Sequence, residues 1–249
     1  MFKFEKHIPV LEKRLVVSFD LEWTKNYRIK NGNLPFCFSF VYFPFNAWRS
    51  ESDKQLEFGV YLRYVDHKNE IPDLLREADK ILGRFFCSHN QTTVVGHQLS
   101  SDISIVLNSA SEKSAVNFLE LKKIWKTRKD KLKSSVEVFD SRYDMNALLK
   151  EKSRRLVDVC QECGLDVTQP EIKSSMTKMQ NDYYLSGDKK IMERLSILNI
   201  RHSLSAAILF LIYKKMIKEK RVINVNHILS RGLSEGFNYL REEDFLKLL

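Results

Sequence analysis

Asp20 and Glu22 sit two residues apart in LVVSFDLEW, residues 15–23, a run rich in β-branched and aromatic side chains. Alternation along a strand sends both carboxylates to one face. Like charges held side by side repel, and hard divalent cations between them, Mg²⁺ or Mn²⁺, are the natural remedy for clustered oxygen ligands. The simpler account is a strand end whose charges are solvated. A third acid, Asp102, stands in GHQLSSDISIVLN, residues 96–108, at the start of a helix that follows a strand. There the plain role is an N-cap.

The elements that must position these acids can be read from pattern. RLVVSFDLEW (14–23), LPFCFSFVYF (34–43) and QLEFGVYLRYV (55–65) predict three strands in meander order, separated by stretches with turn chemistry. IPDLLREADKILGRFF (71–86) has helical spacing, TTVVGHQ (92–98) reads as a short buried strand, and DISIVLNSA (102–110) as a helix. NFLELKKIWKTRKDKLK (117–133) is a basic helix, SVEVFD (135–140) a strand, and most of 145–220 helical. The expected class is α/β, a mixed central sheet flanked by helices. Residues 1–220 are expected to form one domain, with 221–249 a helical tail packed on or next to it.

Composition bounds the partners. The 249 residues are 43% hydrophobic, enough for a full core, and carry 41 Lys and Arg against 32 Asp and Glu, a net charge of +9. That bias suits a polyanion and makes nucleic acid the leading partner class. No uninterrupted apolar run approaches the ~20 residues that span a bilayer, and MFKFEKHIPVLEKR lacks the apolar centre of a signal peptide. Four cysteines are too few for a disulfide scaffold. No membrane partner and an intracellular, cytoplasmic location are expected.

Together, FDLEW and GHQLSSD resemble the first two motifs of the DEDD superfamily of 3′–5′ exonucleases, whose fold is ribonuclease H-like. Asp20 and Glu22 match its D-x-E on the first strand. His97, Gln98 and Asp102 match its H-N-x-x-F-D in outline, with Gln for Asn and Ser101 for Phe. The predicted element order agrees over about residues 14–218. The resemblance implies hydrolysis of phosphodiester bonds at the 3′ end of DNA or RNA, with Mg²⁺ or Mn²⁺ held by Asp20, Glu22 and Asp102.

The family's third motif places His and then Asp five residues later, or Tyr and then Asp four residues later, on a C-terminal helix. In ERLSILNIRHSLSAAILFLIYKK the histidine is His202, but Ala207 stands five residues on; with His202 in the aspartate's place, Leu198 stands where the tyrosine belongs. Three accounts fit: a modified metal site with His202 as ligand or general base, a nucleic-acid-binding module or scaffold that has lost catalysis, or replacement of an aspartate at 207. YLSGD (184–188) satisfies Tyr-x-x-x-Asp literally, but Gly187 interrupts the helix and Asp188 reads as an N-cap.

Other stretches carry paired readings. LKKIWKTRKDKLK (121–133) sets seven basic residues around Trp125, either along a phosphate backbone or as a solvated helix face. CQEC (160–163) joins Cys87 and His89 in a zinc site, or is an apolar helix face ending at Gly164. Asp140 and Asp144 read as N-caps, with Asp140 an outside candidate for the missing acid.

Overall fold

A computed structural model describes residues 1–10, 14–25, 32–48, 56–88, 91–110, 114–130, 135–146, 148–149, 155–169, 174–217 and 222–249. Its centre is a six-stranded mixed sheet. The predicted meander is present as β2 (Arg14–Thr24), β3 (Leu34–Pro44) and β4 (Gly59–Tyr64), antiparallel neighbours; β5 (Gln91–Gly96) and β6 (Val136–Asp140) extend the other side of β2 in parallel. The strand of this sheet that the sequence pattern does not predict is β1 (Phe2–Lys6), which closes the far edge against β4, so that the order is β1-β4-β3-β2-β5-β6. FKFEK does alternate, and Phe4 packs on Phe237 from the other end of the chain, ring centroids 4.7 Å apart.

The sheet is covered on both faces, which is why β2 and β3 are apolar almost throughout rather than alternating. Phe19 and Phe40 meet Phe118 of α3 (Val116–Thr127) and Phe85 of α1 (Ile71–Ser88) on one face. On the other lies α7 (Lys189–Tyr213), preceded by α6 (Met176–Ser186). Asn199, Ser203 and Ala206 of α7 follow the i, i+4, i+7 stripe of one helix face, and all three are buried. Ser203 Oγ lies 2.7 Å from Ser39 Oγ on β3, a short-side-chain contact that lets the helix approach the sheet closely. Gly187, left-handed at φ 66°, ends α6, and Asp188 caps α7 by accepting from the Lys190 N–H, so Tyr184 and Asp188 belong to different helices.

An 18-residue window of α7 has mean hydropathy 1.7, long and apolar enough by composition to cross a bilayer, contrary to the expectation that no segment is. Its apolarity has another use: 89% of that window is buried inside the protein.

Residues 222–249, expected to be helical and to pack on or next to the domain, are built into its core. After β7 (Leu165–Asp166), which pairs in parallel with β8 (Ile223–Asn224), α8 (Val225–Leu233) and α9 (Glu243–Leu246) enclose Val225, Leu229, Phe237, Tyr239 and Phe245 in the same core as the sheet. Arg201 of α7, fully buried, donates to Asn226 Oδ1 at 2.8 Å and to Gln169 Oε1 at 3.0 Å, and Asn226 donates to the Thr168 carbonyl. These bonds satisfy the polar atoms of Arg201 and Asn226, both buried.

Arg63 on β4 ties the edge together, buried between Glu5 of β1 and Glu77 of α1. Burial pushes both carboxyls upward, but the guanidinium outweighs it and both titrate below their ordinary 4.5. The anions are therefore favoured in the folded chain: this stabilisation is complete above that value and is lost as pH falls through the lowered one. Arg63→Met is expected to cost about 2 kcal/mol in urea denaturation at neutral pH, with the gap from the native chain narrowing as the pH is taken below the ordinary 4.5. A gap that stays constant with pH would assign the loss to packing instead.

Candidate metal centre

Strand β2 carries Asp20 and Glu22 on the face that α7 covers. A register irregularity between Glu22 and Trp23 lies immediately beyond the pair. From α7, His202 reaches between the carboxylates: Nδ1 lies 3.0 Å from Glu22 Oε1 and 3.7 Å from Asp20 Oδ2. Ligand atoms of Asp20, Glu22 and His202 all fall within 4.8 Å of one another. One turn earlier, Asn199 Nδ2 donates to Asp20 Oδ2 at 2.7 Å. Asn199 was not singled out by the sequence reading, although its spacing from His202, i−3 on one helix, is a signal that could have found it.

Asp102 sits in the first turn of α2 (Leu99–Ser109), four residues after Gln98, so it is not the N-cap that the local pattern suggests. Gln98 occupies that position with a left-handed backbone, φ 62°. The turn is held from outside. Asp140, at the end of β6 and fully buried, accepts from the Gln98 N–H at 2.9 Å, from the Arg142 N–H at 3.2 Å and from Trp125 Nε1 at 3.1 Å. The Gln98 side chain bridges Ser101 Oγ and Arg142 Nη1, and His97 Nδ1 lies 2.9 Å from Ser141 Oγ. With both oxygens engaged, Asp140 is a cap and a brace of the β5–α2 turn. Asp144 in turn accepts from the Asp140 N–H and from Arg128.

Asp102 is 3% exposed, and among the described residues its Oδ2 meets no hydrogen-bond donor. Burial raises its pKa well above the ordinary carboxylate range, and the nearby charges of Asp20, Glu22 and Asp140 push it further. It stands outside the tightest group of donors, but within electrostatic reach of it. Burial likewise raises Glu22, with Asp20 adding to the effect and the hydrogen bond from His202 opposing it. For His202 burial favours the neutral ring, yet its bonds to Asp20 and Glu22 win and its pKa rises. Such a group of buried oxygens, one without a donor, is short of positive charge. The chemistry of the donors fits a divalent cation: two carboxylates from β2, one imidazole from α7, and on α2 a buried carboxylate oxygen with an open lone pair. Asn199 Oδ1, also buried and without a donor, adds to the same deficit.

Ala207 is fully buried and stands about 140° round α7 from His202, so it does not share the face that meets the carboxylates. An aspartate there would enter the core rather than complete this site. Leu198, buried one turn before His202, offers no hydroxyl.

The remaining motifs lie elsewhere. Trp125 is no open stacking platform: its indole N–H is bonded to Asp140, and the Arg128 guanidinium lies 4.2 Å from its ring centroid. Lys123, Lys126 and Lys129 of the basic stretch are exposed, while 131–134 lie outside the described residues. Cys160 is buried in α5 (Leu156–Glu162) and Cys163 caps it, and among the described residues neither joins a metal-ligand group. His89, the proposed fourth zinc ligand, lies outside them. A cavity of about 1170 Å³ between α3, β6 and the end of α7 is lined by none of Asp20, Glu22, Asp102 or His202.

No family model matches the chain, and no curated protein matches it.

Proposed function

We propose that the chain is a metal-dependent 3′–5′ exonuclease of the DEDD type on a ribonuclease H-like fold. The observation that carries this reading is the convergence of Asp20, Glu22 and His202, ligand atoms within 4.8 Å, beside the donorless Oδ2 of buried Asp102. The sheet supports it too: three antiparallel strands followed by two parallel ones, with the first acids on β2 and Asp102 on the helix after β5, agree with the element order that the resemblance implies.

In this reading Asp20, Glu22 and Asp102 hold Mg²⁺ or Mn²⁺. The chemistry that a bound divalent pair supplies is activation of water and neutralisation of charge on the leaving 3′ oxygen. Asn199 fixes the Asp20 carboxylate, and His202 is placed either as a ligand or to accept a proton from the attacking water. The net charge of +9, with exposed Lys123, Lys126 and Lys129 on one side of the sheet, suits the phosphate backbone of a strand whose 3′ end enters the site.

A second reading keeps its place on one observation: among the described residues no fourth acid joins the group, His202 standing where an acid is expected. In that reading the chain binds a strand end without cutting it. Single strands labelled at the 5′ end, incubated with Mn²⁺, separate the two. The exonuclease gives products shortened stepwise from the 3′ end, lost in Asp20→Asn. It also binds with affinity that falls at least about a hundredfold between 50 and 200 mM salt. Salt-steep binding with no shortening would establish the second reading. Neither binding nor cleavage would set both aside.

A further inference from the structure

The donor set differs from an all-carboxylate centre by one atom type, and that difference has a chemical consequence. We infer that His202 is a direct ligand and makes this centre select a transition-metal ion, of the class of Mn²⁺, Co²⁺ or Zn²⁺, over Mg²⁺. The inference rests on the metal-centre reading above and goes beyond it by naming the ligand atom and the class of ion it favours.

Three observations carry it. His202 Nδ1 lies 3.0 Å from Glu22 Oε1 and 3.7 Å from Asp20 Oδ2. Two donors at right angles about one ion, each about 2.1 Å from it, stand about 3.0 Å apart, so the spacing of nitrogen and oxygen here already fits shared coordination. Second, the helix that carries His202 is anchored to the sheet beside it, with Asn199 and Ser203 bonded to Asp20 and Ser39. The backbone of residue 202 is thereby held where Nδ1 faces both carboxylates. Third, Asp102 Oδ2, on a residue 3% exposed, has no donor. It supplies the additional oxygen that two carboxylates and an imidazole lack.

Mg²⁺ prefers an all-oxygen octahedron, keeps its waters and gains little from an imidazole, whereas later first-row ions bind imidazole nitrogen with increasing strength. Exchanging an acid for His202 therefore removes a charge that Mg²⁺ relies on and adds a donor that Mn²⁺ and Co²⁺ use better. The site is partly open, His202 being 20% and Asp20 13% exposed in their side chains, so an ion can exchange with solvent.

The test uses the native protein and the free ions. Mn²⁺ binding is followed by loss of the free-ion electron paramagnetic resonance signal, Mg²⁺ is added as competitor, and pulsed measurements on the bound ion detect coupling to a nitrogen nucleus. The expected result is one strongly coupled nitrogen, with Mg²⁺ displacing Mn²⁺ only at large excess. In His202→Asp the coupling disappears and the Mg²⁺ excess needed falls on the order of tenfold. Bound Mn²⁺ without nitrogen coupling in the native protein overturns the inference whatever the variant does, and leaves a carboxylate centre standing. Nitrogen coupling with a competition ratio unmoved in a folded His202→Asp overturns the selectivity. Failure of any divalent ion to bind overturns both this inference and the centre on which it rests, whereas nitrogen-coupled Mn²⁺ in a protein that cuts no strand supports the inference and removes the exonuclease.

Discussion

Asp102→Asn is expected to make the ion-free protein more stable and, on the exonuclease reading, to abolish its activity. The Asp102 carboxyl is buried, lacks a donor at Oδ2 and lies in the field of Asp20, Glu22 and Asp140, so its charged form is disfavoured in the folded chain. Removing that charge without changing shape should gain about 1–3 kcal/mol in urea denaturation with chelator present. The same change deletes an anionic oxygen from the centre. Stabilisation by added Mn²⁺ should shrink, and cleavage of labelled strands should fall on the order of a thousandfold. An unchanged or lowered stability, with Mn²⁺ acting as in the native chain, would place Asp102 outside the centre.

The second large effect is on folding. A chain ending at Ile217 loses the buried side chains of Val225, Leu229, Leu233, Phe237, Tyr239, Leu240 and Phe245, and leaves Arg201 without its Asn226 acceptor. At roughly 1.5–3 kcal/mol for each buried apolar side chain, the loss is about 10–20 kcal/mol, as large as the whole stability of an ordinary domain. The shortened chain is expected to show no cooperative thermal transition and to expose apolar surface to a hydrophobic dye. A sharp transition with native-like circular dichroism would return 222–249 to the standing of an appendage.

What was legible in the sequence follows from the range of the interactions concerned. β2 and β3 announce themselves through β-branched and aromatic runs, α1 through its spacing, and the Asp20–Glu22 pair through strand alternation, all of which are local. β1 is only five residues long, and its partners are β4 and Phe237, far along the chain. The role of 222–249 depended on the same long-range packing, with Arg201, Gln169 and Asn226 meeting only in the folded state. Asp102 lies buried in the field of Asp20 and Glu22, whereas local rules assign it a cap that Gln98 occupies instead. At Asp140 sequence shows the acid and not its three donors, which leave no oxygen for an ion. Spacing along the chain sets Ala207 in register with an aspartate, whereas the helix turns that position away from His202.

Diffraction from crystals soaked in Mn²⁺, recorded where manganese scatters anomalously, tests the metal centre most directly. The account predicts a peak among Asp20, Glu22 and His202, within about 2.0–2.4 Å of at least two carboxylate oxygens, with the Asp102 carboxylate turned toward it or toward a neighbouring ion. Full soaking with no peak there, and His202 still bonded to Glu22, would contradict it.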